Sequence, residues 1–134
     1  MANILIVDNT PAEREAFSRM LMQGNIAVND IYEAGNVSEC LNALSCGKTI
    51  SLVLSSTDLT DIDIAELVTT VRSKRRFVPI LMVSAAGREE ALGDVLSAGA
   101  IDVIKMPCSP EQLQEKVVRL SCEFRCIYCG NCKQ

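Results

Sequence analysis

The sequence predicts an α/β domain: one sheet of five parallel strands with helices on both faces. Short apolar runs alternate with amphipathic segments five times along the 134 residues. The apolar runs are continuous rather than alternating, the mark of strands buried on both faces, as parallel strands are. Cap and turn residues punctuate the joins between the two kinds of segment. The length suits one domain. At 49% apolar and 22% charged residues, the chain has the balance of a soluble globular protein and enough apolar surface to offset the entropy of ordering it.

Each element has its own justification. Residues 3–7 read as a buried strand, with Asp8 and Asn9 at its C-terminal end. Thr10-Pro11-Ala12-Glu13 then reads as a helix start, with Thr as N-cap, Pro at N1 and Glu completing a capping box. Ala16, Phe17, Met20 and Leu21 follow at helical spacing, and Gly24 suits the position past the helix end. Residues 28–32 form a short second strand. Asn36 with Glu39 starts a second helix carrying Val37, Cys40, Leu41 and Leu44 and closing near Gly47. Residues 51–55 are a third strand, followed by the acidic loop Asp58, Asp61 and Asp63, which reads as solvated loop and cap residues. Ile64, Leu67, Val68 and Val71 make a third helical stripe. Residues 78–83 are a strongly apolar fourth strand, whose Pro79 implies a strand start or an edge. Residues 88–98 form a fourth helix ended by Gly99, and residues 102–105 a fifth strand. Ser109-Pro110-Glu111-Gln112 repeats the cap pattern before Leu113, Val117 and Leu120 of a fifth helix.

Charge and composition exclude several functions. A net charge of −4 with two Tyr, three Phe and no Trp argues against a nucleic-acid binder, which needs a basic excess and stacking platforms. The basic run Arg72, Lys74, Arg75 and Arg76 reads as a solvated helix end. No apolar run approaches the ~18 residues of a membrane span, and the opening residues lack the basic region of a secretory signal, so a cytoplasmic protein is expected. Histidine is absent from the sequence, which removes His bases, His triads and His-containing metal sites. The seven cysteines, an odd number, are expected to be reduced thiols.

In open α/β sheets the functional site lies beyond the carboxyl ends of the strands. That rule selects Asp8 and Asn9, Ser56 to Asp58, Ser84 and Met106. Around them, Ile-Leu-Ile-Val-Asp8-Asn9, Leu-Val-Leu-Ser-Ser56, Pro-Ile-Leu-Met-Val-Ser84-Ala85 and Ala-Gly99-Ala-Ile-Asp102-Val-Ile-Lys-Met106-Pro107 fall in order. Over residues 3 to about 121 the chain resembles the receiver domain of two-component response regulators. The resemblance implies a flavodoxin-like sheet of order 2-1-3-4-5. It also implies phosphoryl transfer from a histidine kinase to an aspartate ending the third strand, an acidic pair holding Mg²⁺, and a Ser or Thr and a Lys that bind the phosphoryl oxygens.

The sequence departs from that pattern where the chemistry happens. Ser56 stands at the phosphoacceptor position, the acidic pair is Asp8 with Asn9, and Met106 stands at the lysine position before Pro107. Lys105 is adjacent, but neighbouring strand residues point to opposite faces. The family's Met-Pro-x-Met-Asp-Gly loop appears as Leu59-Thr60-Asp61-Ile62-Asp63-Ile64. A serine hydroxyl forms no acyl phosphate and is a poor nucleophile without a base. Mg²⁺ prefers one or two carboxylates, so Asp8, with Asp58 as a weak helper, is expected to hold it weakly. The expectation is a pseudo-receiver rather than an enzyme, acting through a protein partner: a histidine kinase, a response regulator or an output domain. The resemblance further implies dimerisation through the face of the fourth and fifth helices.

Residues 122–134 are expected to be a Cys-rich tail following a receiver-like domain of residues 1–121, or an extension of the fifth helix. Cys122, Cys126, Cys129 and Cys132 supply four thiolates whose softness suits Zn²⁺ or an iron–sulfur cluster. The alternative is a continued helix, with Leu113, Val117, Leu120, Phe124 and Ile127 in a heptad-like stripe and unpaired thiols beside it. A metal- or redox-sensing protein on a receiver scaffold is the second functional reading.

Overall fold

The computed structural model describes residues 2–23, 28–47, 49–57, 64–75, 78–84, 102–106 and 108–129. The strands are β1 (Ala2–Val7), β2 (Val28–Ala34), β3 (Leu52–Ser56), β4 (Ile80–Ser84) and β5 (Asp102–Lys105). They form one sheet in the order β2-β1-β3-β4-β5, and every pairing is parallel. The helices described are α1 (Pro11–Met22), α2 (Val37–Ser45), α3 (Ile64–Lys74) and α4 (Pro110–Cys129). The predicted helix at 88–98 and its Gly99 end, the acidic loop Asp58, Asp61 and Asp63, and Gly24, Pro107 and Cys132 lie outside the described residues. So do the side chains of Cys122, Cys126 and Cys129, although the backbone of α4 is helical through them.

Side-chain alternation along the strands builds two cores. Leu5, Val7, Val53, Ile80 and Met82 pack with Cys40 and Leu44 of α2 and Leu67, Val68 and Val71 of α3. On the other face Ile4, Ile6, Leu52, Leu54, Leu81, Val83 and Ile104 pack with Phe17 and Leu21 of α1 and Leu113, Val117 and Leu120 of α4. All of β3 and β4 is buried, so the continuous apolar runs of the sequence have the reason expected of them.

Four local expectations are corrected. Thr10 makes no side-chain cap hydrogen bond. Instead the carboxylate of Asp8 accepts from the Thr10 amide at 2.9 Å, and the Thr10 carbonyl accepts from the amides of Glu13 and Arg14. Ala16 is exposed, so the stripe of α1 narrows to Phe17 and Leu21 with Met20 half-buried. Ser56 and Ser84 are the last residues of their strands rather than the first beyond them. The basic run is more than a solvated helix end: Arg72 donates to the carbonyl of Val78, and Arg75 Nε donates to that of Leu44 at 2.9 Å. Pro79 takes the first of its two predicted places. β4 is an interior strand, and Pro79 precedes its first residue, where a missing N–H breaks no ladder bond. Its carbonyl still accepts from Val53.

Candidate functional site at the carboxyl edge of the sheet

Parallel pairing brings the strand ends to a common edge, and the register fixes who meets whom. Val7 pairs with Ser55, Ser56 with Val83 and Ser84 with Lys105. Two backbone bonds extend the ladders past the strands, from Thr57 N to the Val83 carbonyl at 2.9 Å and from Met106 N to the Ser84 carbonyl at 2.8 Å. Asp8, Asn9, Ser56, Ser84 and Met106 therefore line one edge of the sheet. Asp58, the remaining residue of the set, lies outside the described residues.

The edge is polar and largely shielded from water. Asp8 is 2% exposed, Ser56 6%, Thr57 3% and Ser84 0%. One oxygen of Asp8 is satisfied by the Thr10 amide; the other, Oδ2, is buried and finds no hydrogen-bond partner among the described residues. Thr57 Oγ1 is in the same condition. Buried polar atoms without partners are rare in folded proteins, and two of them stand together at this edge.

Met106 and Lys105 divide as strand alternation requires. Ile104 belongs to the α1/α4 core and Met106 packs against it, whereas Val103 packs against the α2/α3 core. Lys105 therefore shares the face of Val103, and it is exposed. Met106 sits beside another soft group: the Cys108 thiol lies 3.5 Å from its sulfur. Burial raises the pKa of Cys108 and pushes that of Cys40 up to about 11, so both are neutral at pH 7. Cys40, Cys46 and Cys108 form no disulfide. Among the described residues no three His, Cys, Asp or Glu side chains are grouped to hold a metal ion.

One residue of the edge was not singled out from sequence. Arg14, in the first turn of α1, donates to the Asp8 carbonyl at 2.6 Å and pairs with Glu33 of β2 at 3.1 Å. A signal was present: a cation in a first helical turn opposes the helix dipole, so it needs a specific partner. Asn9 adds a bond from its side-chain amide to the Gly35 carbonyl at 2.9 Å.

A five-stranded sheet of this order, with polar residues gathered at the carboxyl ends of β1, β3 and β4, defines a flavodoxin-like α/β module with its site at the strand edge. The family model for the response regulator receiver domain matches residues 4–118, and the chain belongs to that family. A chemotaxis protein CheY homolog of Campylobacter jejuni is 25% identical over 116 residues, covering 85% of this chain and 88% of its own length. CheY1 of Helicobacter pylori is 26% identical over 116 residues, covering 85% and 92%. Among solved structures, the chemotaxis response regulator CheY4 of Vibrio cholerae has a TM-score of 0.75 at 26% identity, covering 90% of this chain and 98% of that one. A receiver domain protein from Clostridium thermocellum reaches 0.83 at 13% identity, covering 95% and 99%, a likeness of fold alone. The chain is thus a receiver module of the two-component signalling family, and no helix among the described residues is long and apolar enough to cross a membrane.

Proposed function

We propose that this receiver does not take part in normal phosphotransfer and that it signals by protein–protein interaction. The observation that carries the reading is Ser56. It ends β3, buried, where the family places its acceptor aspartate, and it brings a hydroxyl in place of a carboxylate. A hydroxyl forms no acyl phosphate, and it attacks phosphorus poorly without a base beside it. Met106 supports the same reading, because a thioether has no proton to donate to a phosphoryl oxygen. The module then binds rather than catalyses. Its partner is a histidine kinase, a response regulator or an output domain, and α4 contributes to a face through which the module dimerises.

The residues fit Mg²⁺ only as a weak, mostly hydrated ion. Asp8 Oδ2 is one open carboxylate oxygen, and Asn9 and Ser56 add neutral donors where Mg²⁺ favours one or two carboxylates together with phosphate oxygens. When bound, the ion would supply neutralisation of phosphate charge. Asp8 would be its principal protein ligand.

The test is intact-mass analysis after incubation with acetyl phosphate and Mg²⁺. The expected result is an unchanged mass. A single phosphate adduct that disappears in Ser56→Ala would overturn the proposal.

A further inference from the structure

We infer that Asn9 and Arg14 are positioning residues forming a clasp that holds the Asp8 loop in place without a divalent cation. The inference stands apart from the fate of Ser56, because it concerns how the loop is held rather than what the acceptor position can accept.

Two bonds tie the β1–α1 loop directly to the end of β2 and the residue after it, and Arg14 of α1 bridges the two with two more. The Asp8 amide donates to the Ala34 carbonyl at 3.1 Å, and the Asn9 side-chain amide donates to the Gly35 carbonyl at 2.9 Å. Arg14 spans both sides, with one nitrogen on the Asp8 carbonyl at 2.6 Å and Nε on Glu33 at 3.1 Å. Gly35 leaves Arg14 and Glu39 room to reach their partners without shifting. A Cβ there would stand 3.0 Å from Arg14 Nη1 and 3.4 Å from Glu39 Oε1, and its own amide donates to Glu39 at 2.6 Å. Asp8 completes the loop by accepting from the Thr10 amide.

The side chain at position 9 is decisive because of its donor. An amide has two N–H donors, whereas a carboxylate has only acceptors. With aspartate at position 9, a carboxylate oxygen would face the Gly35 carbonyl, and two acceptors at hydrogen-bond distance repel unless a cation or a proton lies between them. Asn9 reverses that contact into an attraction. Arg14 contributes fixed positive charge and two hydrogen bonds at the edge where a bound metal would otherwise order the loop. Both substitutes are covalently part of the chain, so the loop is ordered at any Mg²⁺ concentration.

The experiment compares thermal unfolding of the wild type, Asn9→Asp, Asn9→Ala and Arg14→Lys in EDTA and in millimolar MgCl₂. Hydrogen exchange at the Thr10 amide reports on the Asp8 loop itself. The wild type is expected to melt at the same temperature in both buffers. In EDTA, Asn9→Asp and Asn9→Ala should each melt about 3–5 °C lower, the size expected for losing one hydrogen bond in a domain of this length. Arg14→Lys, which keeps the charge and loses the fork, should fall less and should speed exchange at Thr10. MgCl₂ should restore Asn9→Asp, which regains a carboxylate pair, and leave Asn9→Ala unchanged. A wild-type melting temperature that rises with MgCl₂ would overturn the inference. So would Asn9→Asp matching the wild type in EDTA, or the two Asn9 variants responding alike to Mg²⁺.

Discussion

At Asp102 two effects of position oppose each other. Partial burial raises the carboxyl pKa, while the hydrogen bond from Lys116, the amide of Val103 and the charges of Lys116 and Arg119 lower it and prevail. Lys116 lies 2.5 Å and Arg119 3.5 Å from the same oxygen. A carboxylate whose folded pKa is depressed contributes stability that is complete above its unfolded value of about 3.9 and is lost as pH falls through the lower folded value. Asp102→Asn should therefore lower the melting temperature at pH 7, and the gap from wild type should close below about pH 4. Because the pair is half-exposed, added salt should narrow the gap at pH 7 as well; a gap that persisted at low pH would show that packing, not charge, is responsible. At this scale Asp8, Ser56 and Met106 were legible because apolar runs mark strand ends and alternation assigns faces. Arg14 was not, since its partner Glu33 comes from a strand distant in sequence; Thr57 fell within the selected stretch 56–58, but its buried, partnerless hydroxyl could not be read there. Asn9 was legible as a missing charge but not as a donor, because its partner is a backbone carbonyl of residue 35.

Helix ends show which element signals can be read in advance. The Ser109 hydroxyl accepts from the Gln112 amide at 3.1 Å, and Gln112 returns the bond to the Ser109 amide at 2.9 Å, the reciprocal box its spacing promised. Asn36 accepts from Glu39 at 2.8 Å, but Glu39 reaches Gly35 rather than the cap residue. The Thr10 box fails because the Asp8 carboxylate lies two residues earlier and takes an amide of the same turn. For the C-terminal end of α1 the sequence offers Gly24, which lies outside the described residues. Gln114 of α4 supplies a cap from a distance, donating to the carbonyls of Met20 at 2.6 Å and Gln23 at 2.7 Å. Gln114→Ala should cost about 1–2 kcal/mol, measurable by urea unfolding. Faster amide exchange in the last turn of α1 should accompany it, and a loss spread evenly over the protein would argue against a cap.

Over the whole molecule, the two cores follow from continuous apolar strands and from stripes at helical spacing, while the sheet order is the one the resemblance implied, and both agree with the family to which the chain belongs. On the reading proposed here, the pocket is where the chain parts from that family's pattern. The proposed pseudo-receiver keeps the architecture of phosphotransfer and lacks the acceptor carboxylate, half of the acidic pair and the reading cation. The account stands or falls on whether that pocket forms an acyl phosphate. The most direct measurement is intact mass after acetyl phosphate and Mg²⁺, made side by side on the wild type and on Asn9→Asp/Ser56→Asp/Met106→Lys, which restores all three groups. The account predicts an unmodified wild type and a single hydroxylamine-labile phosphate on the triple variant. A hydroxylamine-labile phosphate on the wild type would contradict it, because a carboxylate elsewhere in this chain would then be serving as the acceptor.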